Sequence, residues 1–208
     1  MIVLYDPRRH LYRRTHDGRV VPSVTTVLTW AGQIPERSRQ RYAAPYLERG
    51  RRVHRATAAA DTPTFTDDPG SLLMPGEDGW LQAWRACCRR LRPRFDCIEA
   101  IGHLDGLVAG TVDRGGFLEG LSGEPYAVLD LKTGDKRPWH RYQLAGYVAI
   151  RRLPPTTLRL GIHLCQDGTF STQPYTEPRD VRVFLTWVKE WWDANDDSDE
   201  EAGTLSDD

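Results

Sequence analysis

The sequence predicts a mixed α/β (α+β) fold, with a central mixed β-sheet flanked by helices. Three observations predict it. Strand-like runs follow one another at Phe95–Ile101, Leu107–Asp113 and Tyr126–Lys132, with glycine-rich punctuation between them. Helical patterns bracket these runs, at Asp78–Leu91 before them and Trp139–Arg151 after them. Two further strand-like runs, Thr157–Cys165 and Thr169–Tyr175, then lead into an amphipathic helix over Glu177–Ala194. Helices interleaved with strands in this order indicate one sheet covered by helices.

The elements can be justified in turn. Ile2–Asp6 and His10–Arg14 read as short strands around Pro7-Arg8-Arg9, and Asp17-Gly18 is a turn signal. The chain is apolar at Val20-Val21, and Ser23 is a good N-cap for a helix running to about Thr29 and stopping near Gly32. A longer helical stretch covers Glu36–Ala60, where Pro45 and Gly50 predict two pieces or a kink. Residues 61–76, rich in Pro, Asp, Thr and Gly, read as a mobile loop. On Asp78–Leu91, Trp80, Trp84 and Cys88 share one face. Gln166-Asp167-Gly168 is the turn between the last two strands. Phe184, Trp187, Val188, Trp191 and Trp192 form the apolar side of the last helix, a stripe that reads as core.

A chain of 208 residues suits one domain. Residues 1–192 are expected to form it, with N-terminal strands and helix over 1–35 and a core over 50–175. Residues 193–208 read as a disordered acidic tail. The formal net charge of −1 hides an asymmetry: the tail holds eight carboxylates and no Lys or Arg, which leaves the first 192 residues at +7. Such a body can meet a polyanion, and the tail can meet a basic protein partner. Of 28 basic residues only three are lysines, Lys132, Lys136 and Lys189.

No run of apolar residues is long enough to cross a membrane, and Met1–Asp6 is charged too early for a signal peptide. Cys87, Cys88, Cys97 and Cys165 contain no CxxC pair and read as free thiols of a cytoplasmic protein. Gly115-Gly116 lacks the spacing of a phosphate-cradling loop.

Four short patterns carry chemistry. In Asp130-Leu131-Lys132-Thr133-Gly134, strand alternation turns Asp130 and Lys132 to one face. A carboxylate beside an ammonium can hold a hard cation and stabilise a developing anion; the same pattern also fits an ion pair at a strand end. Asp113, in Gly110-Thr111-Val112-Asp113-Arg114, ends a predicted strand. If that strand pairs with the next, two carboxylates converge and repel unless a cation lies between them, although each also suits the start of a turn. His54 follows Gly50 on a helix that carries Arg49, Arg51, Arg52 and Arg55, a phosphate-contacting face or a solvated basic one. Gln143 and Tyr147 share a helix face, with His140 one turn before them, lining a cleft or facing solvent.

In this order, GxxxH, GxxDR, DLKTG and QLAGY resemble the RecB-like branch of the PD-(D/E)XK nuclease superfamily. Its members include phage-type exonucleases, the nuclease domains of RecB and AddB, mitochondrial genome maintenance exonuclease and CRISPR adaptation nucleases. The resemblance spans Gly50 to Tyr147, and Val21–Leu28 resembles the entry segment of some members. It implies a restriction-endonuclease-like core and a metal-dependent DNA nuclease, an exonuclease in the first place, that leaves 5′-phosphates.

The resemblance makes His54, Asp113 and Asp130 metal ligands, completed by the Leu131 carbonyl. Lys132 becomes the catalytic lysine, and Gln143 and Tyr147 line the substrate cleft. Glu99 matches an upstream acid of some relatives, or is an exposed strand residue. Carboxylates suit Mg²⁺, and an imidazole ligand admits Mn²⁺. Arg49, Arg51, Arg52 and Arg55 are candidates for the DNA backbone, and Trp30, Trp139 or Tyr147 for stacking on a base. With no cysteine after Cys165, the iron–sulfur cluster of several relatives is not expected, and no Walker motif marks a helicase. The alternatives are a structure-selective or single-strand endonuclease, an inactive nucleic-acid-binding protein of the same fold, and an interaction protein acting through its acidic tail.

Overall fold

The structure, a computed structural model, describes residues 2–6, 9, 11–35 and 44–196. Pro7, Arg8, His10, residues 36–43 and the tail from 197 onward lie outside the described residues.

Strands β1 (Val3–Asp6), β2 (Leu11–Arg14) and β3 (Val20–Val21) form a small antiparallel sheet. Helix α1 (Val24–Trp30) follows; the Ser23 side chain accepts the Thr26 N–H at 3.0 Å as its N-cap. Gly32, at φ +70°, turns the chain out of the helix, as expected of a residue without a Cβ. Helix α2 (Ala44–Asp61) runs through Gly50 without a break, so the expected stretch is not divided there; the first residues of that stretch, 36–43, lie outside the described residues. Pro45 stands in the first turn, where a missing N–H costs no helical bond.

A short 3₁₀ turn, Pro69–Leu72, lies in the segment read as loop, capped by Asp68. Helix α3 (Asp78–Leu91) leads to β4 (Pro93–Leu104), β5 (Val108–Leu118) and β6 (Tyr126–Lys132). Then come α4 (His140–Ile150), β7 (Leu158–Leu164), β8 (Phe170–Tyr175) and α5 (Arg179–Asp196). The five strands form one mixed sheet in the order β4-β5-β6-β7-β8, antiparallel except for the parallel β6–β7 pair. Strand β5 runs five residues past Asp113, so that aspartate lies inside the strand and not at its end.

Both faces of the sheet are covered. Val112 and Val128 pack with Val24 and Leu28 of α1, Leu144 and Val148 of α4, and Phe184 of α5. Leu129, Leu131 and Ile162 pack with Val53 of α2 and with Trp80, Trp84 and Leu91 of α3. Covering on both sides explains why β6 reads as a nearly continuous apolar run and not as an alternation. A Cβ on Gly146 would approach Val24 to 2.7 Å and Phe184 to 2.9 Å, so only glycine lets α4 meet α1 and α5 this closely. Among the described residues, no helix is long and apolar enough to cross a membrane.

Candidate active site

The centre of the molecule is a point where two strands part. The β5–β6 ladder ends at the pair Arg114–Leu129. Beyond it the Leu131 N–H is taken by a side chain, Asp113 Oδ2, at 2.7 Å. Simple alternation also fails here: Val112 packs toward α1, α4 and α5, whereas Arg114, two residues later, reaches Asp61 and Thr57 of α2. Glu99 lies across β4 between the pairs Ile98–Arg114 and Ala100–Val112, at φ +44°, a left-handed conformation unusual in a strand.

Helix α2 brings His54 over this gap. Its Nδ1 is 3.2 Å from Glu99 Oε1 and 3.7 Å from Asp113 Oδ2, and its Nε2 is 3.1 Å from the Leu131 carbonyl oxygen. One ligand atom from each of His54, Glu99 and Asp113 lies within 4.8 Å of the others. Burial alone would push the imidazole down, but Asp113 and Glu99 outweigh it and hold His54 up at about 9. The protonated ring thus occupies the position of a cation among two carboxylates and a carbonyl.

Asp130, 1% exposed, stands beside this set. Its Oδ2 is 2.8 Å from Lys132 Nζ, so both oxygens of the buried carboxylate face the ammonium. Burial raises the Asp130 carboxyl to about 6, with Lys132 opposing and Asp113 adding to the rise. Lys132 Nζ donates to Asp130 Oδ1 and to Gln143 Oε1, each at 3.0 Å, and Gln143 Nε2 donates to the Tyr147 hydroxyl at 2.8 Å. An ammonium has three N–H groups, and these two acceptors leave one. Gln143 and Tyr147, 6% and 5% exposed, therefore stand behind Lys132 and do not line the cleft as expected. Burial, then Asp113 and Asp130, raise the Tyr147 hydroxyl well above its usual range, so it stays protonated.

Arg114 was given no role by sequence reasoning. Its side chain is fully buried and donates to Asp61 Oδ2 at 2.6 Å, Glu99 Oε1 at 3.0 Å, Thr57 Oγ1 at 3.1 Å and the Asp113 carbonyl at 2.6 Å. It ties Glu99 to the end of α2 and to β5 at once. A guanidinium suits this because its planar fork serves several acceptors from one place. The only signal was its place directly after Asp113 in the GxxDR pattern, with glycine on its other side.

A cleft of about 1470 Å³ opens over the site, with His54, Glu99, Leu131 and Lys132 in its lining. Arg49, Arg51 and Arg55 of α2 also line it. Arg51 forms an exposed pair with Glu48, and Arg55 is exposed with no ion pair among the described residues. Arg52 departs from the expected set: both ends of its guanidinium are held by Glu77, at 2.9 and 2.6 Å, and it does not line the cleft. His140 lines the cleft next to Trp139; burial, then Lys132 and His163, lower it to about 3, so it is neutral. Of the residues considered for stacking, Trp139 lines the cleft, Tyr147 is buried and Trp30 lies elsewhere.

The donor set fits a divalent cation of the Mg²⁺ or Mn²⁺ type: two carboxylates, one imidazole and one main-chain carbonyl, with Asp130 beside them and paired to Lys132.

No family model matches the chain, and no curated protein matches it. Among solved structures it is similar to LHK-Exo in complex with dAMP, at TM-score 0.43 and 12% identity, over 77% of this chain and 100% of that one. It is also similar to an alkaline exonuclease, LHK-Exo, from Laribacter hongkongensis, at TM-score 0.36 and 10% identity, over 74% and 97% of the two chains.

Proposed function

We propose that this protein is a divalent-metal-dependent deoxyribonuclease that hydrolyses phosphodiester bonds and leaves 5′-phosphates. One observation carries the reading. His54 from a helix, and Glu99 and Asp113 from two strands, bring their ligand atoms within 4.8 Å of one another at a basic cleft. These elements are far apart in sequence, and one imidazole and two carboxylates gathered at one point are a donor set that suits a divalent cation in place of the His54 proton.

His54, Glu99, Asp113, Asp130 and the Leu131 carbonyl would hold the ion. When bound, it supplies electrophilic assistance to attack on phosphorus and lowers the pKa of water. Arg51 and Arg55 bind the phosphate backbone, and Arg49 braces the wall behind them. Lys132, fixed by Asp130 and Gln143, offers its remaining N–H to the attacking water or to the charge that develops on the phosphoryl oxygens. Tyr147, kept protonated, holds the Gln143 amide so that its carbonyl oxygen faces Lys132. In the overall step a water oxygen bonds to phosphorus, the bond to the 3′ oxygen breaks, and the proton released by water ends on that oxygen.

Motif resemblance to phage-type exonucleases favours attack from a DNA end. The experiment is cleavage of end-labelled linear DNA and of closed circular DNA with Mg²⁺, with Mn²⁺ and with chelator. We expect metal-dependent loss of the linear substrate, released nucleotides that carry a 5′-phosphate, and a circle that survives. A chain that cuts neither substrate with either metal is not a nuclease, and cutting of the circle makes it an endonuclease.

A further inference from the structure

A phosphate backbone is bound by cations and N–H groups; an aromatic face serves a nucleic acid only through its bases. The cleft carries such faces. Tyr46 and Leu47, in the first turns of α2, line it and are 64% and 54% exposed. Trp139 lines it too, with its ring centroid 5.6 Å from Lys132 Nζ.

The Tyr46 ring is braced. The Arg49 guanidinium lies 5.1 Å from its centroid and 4.6 Å from that of Trp80, so one cation is shared by two rings. Arg49 Nη2 also donates to the Thr133 carbonyl at 3.1 Å, in the loop directly after Lys132. Arg49 is thus committed to structure, and one face of Tyr46 is backed while the rest of the side chain meets solvent. Eight residues separate Tyr46 from His54, which is about 12 Å along a helix.

A base inside a duplex hides both faces in the stack and only the terminal pair exposes one, so a ring set within the cleft, away from a blunt end, is served by an unpaired base. Resting on the reading above, we propose that the cleft takes single-stranded DNA, or a frayed single-stranded end, and that Tyr46 is the platform on which one unpaired base stacks. The substrate strand then runs along α2, held by that base at one end and by Arg51 and Arg55 on its phosphates. The residue sets substrate class and leaves the chemistry to His54, Asp113, Asp130 and Lys132.

The test uses one labelled strand, its blunt duplex, and the same strand with its bases removed at abasic sites. Binding is read by anisotropy without metal, and cleavage is read with Mn²⁺. We expect wild type to bind the strand about tenfold tighter than the duplex, and Tyr46→Ala to lose about tenfold on the strand and nothing on the abasic strand. Tyr46→Phe keeps the ring and is expected to behave as wild type. Tyr46→Ala that binds and cuts the strand as wild type does overturns the assignment, as does a wild type that favours the duplex or a Tyr46→Phe that falls with Ala. If wild type shows the stacking pattern in binding and cuts no DNA, the nuclease reading fails and the platform stands. If wild type cuts both forms equally and Tyr46→Ala changes neither, the platform fails and the nuclease reading stands.

Discussion

The carboxylate of Asp113 accepts the main-chain N–H of Leu131 at 2.7 Å. One oxygen of the proposed metal site thereby fixes the residue whose own carbonyl, one peptide further on, faces His54. Asp113 is a ligand candidate and a strand splice together, and the two roles separate by substitution. Asp113→Asn keeps an acceptor for the Leu131 N–H and removes the charge. Asp113→Ala leaves a buried donor unpaired, at a cost of about 1–3 kcal/mol. We expect both variants to lose at least about tenfold in Mn²⁺ affinity by calorimetry, a ligand's worth of binding. Both should lower the melting temperature at pH 7, since each removes the charge that stabilises protonated His54, but Ala the more, by roughly 2–4 °C for each further kcal/mol. Wild-type Mn²⁺ affinity in both removes Asp113 from the site.

His54 makes the site pH-dependent in a defined direction. Its value near 9 lies above the ordinary 6.5, so folding favours the protonated ring. That contribution to stability is fully present below pH 6.5 and is lost as pH rises through about 9. Ligation needs the neutral ring, so binding at pH 7 must expel this proton. Mn²⁺ affinity should therefore rise by about tenfold per pH unit from 7 toward 9 and then level off. Calorimetry in buffers of different ionisation enthalpy should show close to one proton released per ion at pH 7; no proton release contradicts the assignment of His54.

Much of this was legible in the sequence, and the misses have physical causes. His54, Asp113, Asp130 and Lys132 stand in short local patterns that survive folding as neighbours. The alternation argument holds for Asp130 and Lys132, which do meet, because β6 is regular there. It fails for Glu99, whose φ of +44° breaks the period that would have given its register. The end of β5 was missed because Gly115-Gly116 reads as punctuation. In the fold a Cβ on Gly116 would meet the Arg94 carbonyl oxygen at 2.2 Å, so glycine there allows close strand packing. Arg52 looked like its neighbours because its partner, Glu77, lies on the far side of a loop. Arg114 was hidden for the same reason, with acceptors on three separate elements.

Arg114 gives a third test. Arg114→Met is close in volume but leaves Asp61 and Glu99 without their buried cation. We expect a loss of about 3–5 kcal/mol, seen as a melting temperature lower by about 10 °C. Mn²⁺ affinity should fall as well, because Glu99 is released. A variant that melts as wild type does would mean that Arg114 organises nothing.

The arginines of α2 are separable by salt. Each phosphate contact adds about 0.9 to the slope of log affinity against log salt for a duplex and about 0.7 for a single strand. Replacing Arg51 and Arg55 by Ala should flatten the slope by about 1.4 on single-stranded DNA. Arg52→Ala should leave the slope unchanged while lowering stability, because its charge is taken by Glu77. An unchanged slope in the double variant assigns those residues to a merely solvated face.

Lys132 carries the most direct test of all. It holds Asp130 and Gln143, so its removal weakens the fold to some degree, and rates must be compared where every variant is folded. Single-turnover cleavage of labelled DNA with saturating Mn²⁺ is measured for wild type, Lys132→Ala and Lys132→Arg. If the third N–H of Lys132 acts on the transition state, Ala should cut the rate by about 10²–10³-fold with Mn²⁺ and DNA binding nearly intact. Arg, broader and differently hydrated, should restore little. A folded Lys132→Ala protein that cleaves DNA at close to the wild-type rate contradicts the mechanism.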